Sequence, residues 1–272
     1  MNKTFIFNFL VTIIPFFVMG QDLESDGLKF EEIDGSHIWT LQLEDTGKED
    51  WKKHWFLDGD KGSVVNSEEG MYLRAGPEQG NDAHHAVLWT KDSFKGNIKI
   101  EYDYTKTDTL ERNVNILYIQ ATGIGKPPFS KDIYEWKALR KVPKMSTYFE
   151  NMNAFHISYA AISYRDSYTY VRARRYPVTA KRSFQKTMIE PSFNNETDTF
   201  KNGITYKITT IKTEDNLLFK VVGDGGTKVF SWNISNWELI EEGRIGFRHM
   251  FTRSARYKNI KIYTDADSSS DD

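Results

Sequence analysis

The sequence predicts an all-β protein built as one sandwich of two sheets, and three observations support this. Apolar and polar residues alternate in short blocks along most of the chain, which is the pattern of half-buried strands. No segment of helix length shows a sustained apolar period of about 3.6 residues. Aromatic residues make up 14% of the chain, and aromatic rings are enriched in strands. We expect about ten to fourteen strands in a single domain, since sandwiches commonly reach this length without dividing.

Residues 1–20 have the pattern of a secretory signal peptide. Lys3 precedes an apolar run over residues 5–19, and Gly20 closes that run before a polar segment. The run is short for a membrane span and contains Pro15, so we expect cleavage and no membrane contact afterwards. Because the chain has no cysteine, it is expected to be an exported bacterial protein without disulfides, either periplasmic or secreted.

Ten segments after the leader show the strand pattern most clearly. In chain order they are residues 85–90, 98–104, 114–121, 155–164, 168–174, 205–212, 217–222, 228–232, 245–251 and 260–264. At most a turn or two of helix is expected, within residues 130–139, and Asp58-Gly59-Asp60 has the composition of a turn. The sandwich is predicted to occupy residues 21–264, followed by an acidic, serine-rich and disordered tail over residues 265–272.

The composition excludes several classes of site. Without cysteine there is no thiolate metal site and no cysteine nucleophile. No pair of histidines has the helical spacing of a zinc site, so neither a metal nor another cofactor is expected. A formal net charge of −2 and the lack of a recognition motif argue against nucleic acid as a partner. The sequence leaves the oligomeric state open.

Positive charge is concentrated in residues 137–186. This window holds eleven lysines and arginines against two acids, Glu150 and Asp166, although the chain as a whole is slightly acidic. Six of the tyrosines lie in the same window. Guanidinium groups bind carboxylate or sulfate through paired hydrogen bonds, and aromatic rings pack on apolar faces. The window therefore predicts a carboxylated or sulfated oligosaccharide as the partner.

Period-two alternation places the polar side chains of this window on one face of a hairpin. The residues that share this face are His156 and Ser158 on one strand, and Tyr168, Tyr170, Arg172 and Arg174 on the next. Residues 165–167 are few enough to join the two strands as an antiparallel hairpin. Such a face is either the floor of a site for an anionic ligand or an ordinary solvated face of a sandwich, and the pattern alone leaves both open.

These residue types fit elimination beside a uronate carboxylate. A cation must neutralise the carboxylate so that the C5–H becomes acidic, a His or Tyr must remove that proton, and an acid must protonate the leaving oxygen at C4. The candidate catalytic residues are His156 as base or acid, Tyr170 as its partner and Arg172; the candidate binding residues are Arg174, Tyr168, His85 and Arg248. A sugar as the leaving group makes the reaction that of a polysaccharide lyase, and a hydroxyl makes it that of a dehydratase.

Two other functions remain open from the residues. Glu101 and Asp103 share a strand face and could form the carboxylate pair of a glycoside hydrolase, but Thr105 stands where a third acid would complete that pattern. A carbohydrate-binding module would need only the tyrosine and arginine surface and no proton transfer.

Several strings resemble a family of bacterial proteins from polysaccharide-utilisation loci, long described only as a domain of unknown function. The matching strings are HAVLWT at 85–90, FKGNI at 94–98, IEYDY at 100–104, FHISY at 155–159, Val171-Arg172, GRIGFRHM at 243–250 and YKNI at 257–260. The resemblance implies a concanavalin-A-like jelly-roll sandwich. Within that family the strings are most similar to the ulvan oligosaccharide dehydratases of marine bacteria. That similarity implies removal of water from the terminal glucuronate or iduronate of a sulfated oligosaccharide, which leaves a 4,5-unsaturated uronyl end.

Overall fold

The structure is a computed structural model, and it describes residues 21–109, 113–162, 168–195 and 199–265. The helices in these ranges are α1 (Gln21–Ser36) and α2 (Met145–Asn151), with short 3-10 turns at Trp51–Lys53, Asp82–His84, Lys137–Arg140 and Gln185–Thr187. The strands are β1 (Trp39–Asp45), β2 (Trp55–Asp58), β3 (Ser63–Ser67), β4 (Gly70–Arg74), β5 (Ala86–Thr90), β6 (Phe94–Lys95), β7 (Ile98–Lys106), β8 (Asn115–Gly123), β9 (Met152–Ile162), β10 (Thr169–Tyr176), β11 (Met188–Asn194), β12 (Thr205–Lys212), β13 (Asn216–Gly223), β14 (Gly226–Asn233), β15 (Glu242–His249) and β16 (Ser254–Asp265).

The strands form two antiparallel sheets packed face to face. Sheet A has the order β14-β13-β12-β7-β16-β4-β3, with β1 also paired to β16. Sheet B has the order β11-β10-β9-β8-β15-β5-β2, with β6 also paired to β15. The sequence prediction of a single all-β sandwich is therefore confirmed.

Alternate residues of the two sheets meet in one apolar core. Ile100 and Tyr102 of β7 face Ile157 and Phe247 of sheet B, and all four side chains are almost completely buried. Burial of apolar surface of this extent is the main favourable term in folding. The residues between these positions point the other way, so the polar residues of β9 and β10 lie on the outer face of sheet B.

The strands rich in β-branched and aromatic residues were predicted from sequence, and each of the ten predicted segments overlaps a strand of the structure. The weaker strands β1 to β4, β6 and β11 were not predicted, because several are short or carry polar residues on both faces. Helix α1 was not predicted either. Among residues 25–36 of α1, the apolar contacts with sheet A are those of Phe30 and Ile33, which are too few positions to give a visible helical period.

Parts of the predicted organisation fall outside the described residues. These are the leader at residues 1–20, the hairpin connection at residues 165–167 and residues 266–272 of the tail. Asp265, which the sequence assigns to the tail, is the last residue of β16, where its carboxylate meets His37 Nδ1 at 2.6 Å. None of the helices in the described ranges is long and apolar enough to cross a membrane.

Gly243 of β15 offers a test of the sheet B packing. A Cβ atom added at this position would lie 2.2 Å from the backbone of Gln120, where the ladder between β15 and β8 shifts register. We expect Gly243→Ala to lower the free energy of unfolding by about 1–3 kcal/mol in urea denaturation, because backbone atoms must move.

The matched control is the same substitution at Gly27 in α1, where an added Cβ meets nothing within 4 Å. There alanine should stabilise by up to about 1 kcal/mol through its higher helix propensity. Equal effects at the two positions would contradict the proposed backbone contact.

Candidate functional site

Two rows of side chains cross the outer face of sheet B, and the strand register fixes their membership. One row contains Asp58, Val87, Arg248, Ile116, Ser158 and Arg172 in neighbouring strands. The other contains Phe56, Trp89, Gly246, Tyr118, His156 and Arg174. The face shared by His156, Ser158, Arg172 and Arg174 is the one that alternation predicts, because β9 and β10 pair with Arg174 opposite His156.

Two connections cover these rows and together form what we call the roof, residues 124–151 and 177–187. The first joins β8 to β9 and contains α2, and the second joins β10 to β11. They contact each other through Phe149 and Phe184, whose ring centroids are 5.0 Å apart, and through the Val178 N–H, which donates to Phe149 O at 2.6 Å. The roof turns this face of the sheet into a second buried layer.

His156 lies at the centre of the covered rows. Its side chain is 2% exposed, and neither ring nitrogen has a hydrogen-bond partner within the described ranges. Burial and the charges of Arg174, Arg248 and Arg172 hold the pKa of His156 well below the usual value for histidine. The ring is therefore neutral at neutral pH, with a nitrogen lone pair available to accept a proton.

Tyr118 and Tyr176 flank His156, with ring centroids 5.7 and 4.6 Å from the imidazole. Both hydroxyls are buried and make no hydrogen bond in the part of the chain that the structure describes. Burial raises the pKa of Tyr118 to about 12 and that of Tyr176 well above 10, so both remain protonated at neutral pH. The adjacent Arg248 guanidinium opposes the rise in the pKa of Tyr118.

Two buried arginines bring positive charge to the histidine. Arg248 donates from Nη2 to Pro143 O in the roof at 2.7 Å, while its Nε and Nη1 have no partner within the described residues. Arg174 donates from Nη1 to Phe184 O at 2.8 Å and to Thr187 Oγ1 at 3.1 Å. Within the described residues neither one forms an ion pair with a carboxylate. Burial lowers the pKa of Arg174, and the charge of Glu190 only partly opposes that fall. Such a pair of guanidinium groups suits an anionic ligand.

Asp58 anchors the other end of the site. Its Oδ2 accepts hydrogen bonds from Trp89 Nε1 at 2.7 Å, Tyr148 OH at 3.0 Å and Arg140 Nε at 2.5 Å. Burial raises the pKa of the Asp58 carboxyl, and the adjacent Arg140 charge opposes that rise. This one carboxylate links the edge strand β2, the sheet and the roof.

A glycine allows the aromatic floor of the site to form. A Cβ atom at Gly246 would lie 2.5 Å from the indole of Trp89, so only glycine lets that ring lie across the strand. Trp89, Tyr118 and Tyr148 then form a nearly parallel stack, with centroid separations between 5.1 and 6.5 Å.

The other predicted residues of the hairpin lie at the periphery of the same face. Arg172 donates from Nε to Ser192 Oγ at 2.9 Å, and its guanidinium packs 4.5 Å from the Tyr170 ring centroid. Tyr168 packs on Tyr170 at 6.5 Å, and all three side chains are half-buried. They form a basic and aromatic patch that continues the covered rows toward the edge strand β11.

His85 and the carboxylate pair are placed differently from the hairpin residues. His85 Nδ1 accepts from the Phe251 N–H at 3.2 Å, Nε2 lies 3.2 Å from Asp82 Oδ1, and the ring stacks on Phe251. With both nitrogens engaged, His85 fits a structural role beside Arg248 better than contact with a ligand. Glu101 and Asp103 lie on β7 of sheet A, on the opposite side of the sandwich from His156.

Sequence reasoning missed five residues of the site: Asp58, Trp89, Tyr118, Tyr148 and Tyr176. Tyr176 was within reach of the alternation argument, since it lies two residues beyond Arg174 on the same face. The other four depend on strand pairing and on the roof, which no short-range pattern contains. Among the described residues no three His, Asp or Glu side chains cluster as metal ligands would.

Comparison with known proteins gives a family and a fold. The model of a family described as "Domain of unknown function (DUF1961)" matches residues 44–262. No protein with a curated description matches the chain.

Similar solved structures include proteins with lectin folds. A Bacillus subtilis protein of unknown function with a galectin-like fold is 17% identical, with a TM-score of 0.62 over 84% of this chain and 98% of that one. Basic winged bean lectin with Tn-antigen is 7% identical, with a TM-score of 0.56 over 83% and 98%. The exoplasmic/lumenal domain of VIP36, in its Ca²⁺/Man3GlcNAc-bound form, is 10% identical, with a TM-score of 0.54 over 86% and 95%. These likenesses confirm the predicted lectin-type jelly-roll sandwich and show the fold alone.

Unpaired buried polar groups should make the site a source of instability. Replacing His156 or Tyr176 by phenylalanine removes polar atoms that have no hydrogen-bond partner among the described residues. We expect each variant to raise the free energy of unfolding by about 1 kcal/mol in urea denaturation. The control is Tyr148→Phe, which deletes a hydrogen bond to a buried carboxylate and should lower it by about 1–3 kcal/mol. Loss of stability in all three variants would contradict the assignment.

Acid should destabilise the fold through its buried histidines. Burial lowers the pKa of His85 to about 2 and that of His249 to about 3, and His156 is shifted in the same direction. Below about pH 6.5 the unfolded chain binds protons that the folded chain does not, so stability falls as the pH falls. Each histidine adds up to about 1.4 kcal/mol per pH unit, best measured by denaturation between about pH 5 and 6.5. His156→Phe should give a shallower slope than the unsubstituted chain; an unchanged slope would contradict a neutral His156.

Proposed function

This chain belongs to the family described as a domain of unknown function, DUF1961, and we propose that it is an enzyme acting on the terminal uronate of acidic oligosaccharides. The observation that carries this proposal is the convergence of buried polar groups that have no hydrogen-bond partner among the described residues: both nitrogens of His156, the hydroxyls of Tyr118 and Tyr176, and two nitrogens of Arg248. Leaving such groups unpaired costs about 1–3 kcal/mol each, and folds retain them chiefly where a ligand or a reaction uses them.

The first step of the proposed reaction is capture of the substrate carboxylate by Arg248 and Arg174. Neutralising that carboxylate makes the C5 hydrogen of the uronate acidic enough to be removed. Its arrival also adds negative charge beside His156, which raises the pKa of the imidazole toward the range useful for a base. The same event thus activates the substrate and the base.

The second step is elimination. His156 accepts the C5 proton, the bond between C4 and its oxygen breaks, and a double bond forms between C4 and C5. Tyr118 or Tyr176, held protonated by burial, donates a proton to the departing oxygen. When that oxygen belongs to a hydroxyl, the sugar loses one water and no oxidant or reductant is needed.

The choice of a dehydratase over a lyase rests on the sequence resemblance to the ulvan oligosaccharide dehydratases. Under this proposal the substrate is a sulfated oligosaccharide that ends in glucuronate or iduronate, and the chain is exported to where such oligosaccharides are degraded. Arg172, Tyr170 and Tyr168 then bind the adjoining sugar rather than the reacting carbons. His85 supports Arg248 from behind.

Substrate entry requires movement of the roof. Each group of the proposed reaction is at most 9% exposed, so a sugar reaches His156 only when residues 124–151 or 177–187 shift. Exclusion of water by such a cover strengthens the electrostatic interactions beneath it.

A non-catalytic carbohydrate-binding module is the second candidate. It is favoured by the lectin folds of the similar structures and by the half-buried patch of Tyr168, Tyr170 and Arg172, which could hold a sugar without any reaction. It leaves the unpaired groups around His156 without a role.

The test is incubation with sulfated, uronate-containing oligosaccharides that have saturated non-reducing ends, followed by mass spectrometry and ultraviolet absorbance. Loss of the mass of one water at unchanged chain length, with new absorbance from the unsaturated uronyl end, is expected. Shorter chains would indicate a lyase if they absorb and a hydrolase if they do not. Binding without any change of mass would contradict the enzyme and favour the carbohydrate-binding module.

Variants locate the reaction. His156→Phe should lower turnover by about 100-fold or more, since it removes a proton-transfer group. Glu101→Gln on sheet A is the control, and it should keep full turnover. Full activity of His156→Phe, or loss of activity in Glu101→Gln alone, would overturn the assignment of the site.

A further inference from the structure

We propose that a cleft at the edge of sheet B, beside the covered rows, is a second anion-binding subsite for a carboxylated or sulfated sugar unit. It rests on the proposed function, because it takes the same class of ligand. The cleft has a volume of about 530 Å³, within the range of about 300–1,000 Å³ of small-molecule sites. It opens between two walls: Trp51 to Asp60 on one side, and the roof residues Tyr134 to Lys141 on the other.

Arg140 is the feature that makes this cleft a built site. Its side chain is completely buried yet lines the cleft, and its Nε is fixed by Asp58 at 2.5 Å. Its Nη1 and Nη2 have no hydrogen-bond partner in the part of the chain that the structure describes. The Trp136 ring packs against the guanidinium, with its centroid 4.3 Å from Cζ. Two parallel N–H groups with a fixed orientation match the paired oxygens of a carboxylate or sulfate.

Four exposed lysines, Lys52, Lys91, Lys137 and Lys141, surround the opening. None of them forms an ion pair within the described ranges, whereas other surface cations such as Lys48 and Lys53 pair with a glutamate. Lys137 instead donates to Tyr134 OH at 2.9 Å. With the Asp58 charge matched by Arg140, Asp60 is the acid left in the lining. The cleft therefore carries an excess of positive charge.

Tyr134 gives the cleft an apolar surface for a sugar ring. Its side chain is 42% exposed, and its ring is held edge-on against Phe56 at 5.0 Å. An aromatic ring beside a fixed guanidinium combines the two contacts that an anionic sugar needs.

The position of the cleft connects it to the reaction. Asp58 binds Arg140 on the cleft side and Trp89 and Tyr148 on the side of His156. A sugar unit bound at Arg140 would therefore be separated from the aromatic stack only by the Asp58 carboxylate, which binds both. Because one wall is part of the roof, occupation of the cleft also places a ligand against the segment that must move.

The test compares two double variants in the His156→Phe background, so that turnover does not interfere. The probes are a tetrasaccharide bearing uronate and sulfate, the same tetrasaccharide after desulfation, and a neutral tetrasaccharide, titrated by calorimetry. Lys137→Gln/Lys141→Gln should weaken binding of the sulfated probe about tenfold and reduce its salt dependence. Lys95→Gln/Lys207→Gln, which removes two exposed lysines away from the cleft, should leave affinity unchanged.

Arg140→Lys is a second variant, which keeps the charge but loses the paired donors and should weaken binding further; near-ultraviolet circular dichroism checks that it folds.

Equal weakening in both lysine pairs, or none in either, overturns the subsite. If none of the three probes binds, the subsite and the proposed function are overturned together. The same double variant, Lys137→Gln/Lys141→Gln, is also measured in the chain that keeps His156. If that chain turns over the substrate and the double variant leaves the KM unchanged, the subsite alone is overturned.

Discussion

The hydrogen-bonded Asp58 carboxylate is the interaction on which the covered site depends. It is buried at the end of a short edge strand and accepts from an indole in the sheet, a phenol in α2 and a guanidinium in the roof. Each of these donors fixes a larger element: Trp89 fixes the aromatic stack, Tyr148 the helix and Arg140 the wall of the cleft. A buried carboxylate is tolerated only with such partners, since an unpaired charge in this position would be strongly destabilising. One oxygen atom therefore joins the edge strand, the aromatic stack and the roof.

The surroundings of His156 differ from those of Asp58, where a buried negative charge is matched by hydrogen-bond donors. Around His156, guanidinium groups and phenols are buried without an ion pair to a carboxylate among the described residues, and burial keeps the imidazole neutral and the phenols protonated. These protonation states suit a base and an acid only when an anion enters and completes the set of charges. The stability of the closed site and its readiness for an anionic ligand thus oppose each other, as they do in many catalytic sites.

The fold could be predicted from sequence because the alternation of apolar and polar residues is a local property. This alternation identified the strands that contribute most of the core. Alternation also put His156, Arg172 and Arg174 on one face, and the pairing of β9 with β10 confirms this. It could not show that Tyr118 lies beside His156, because that contact depends on the register between β8 and β9. Asp58 was interpreted as part of a turn, since a strand as short as β2 has too few residues to show a period. The roof brought together Tyr148 and Arg140 through tertiary packing, and no spacing in the sequence encodes that.

The roof has a consequence for how this protein can change over generations. The ladder of sheet B fixes the rows that contain His156 and Arg248, and a shift of register there would disrupt the core on the other face. The two connections that cover the rows are less constrained, because surface connections tolerate insertion and substitution. Mutation can therefore reshape the walls around the site while His156 and Arg248 stay in place. Under the proposed function, relatives that keep the sheet and exchange residues 124–151 or 177–187 would share one reaction and differ in substrate.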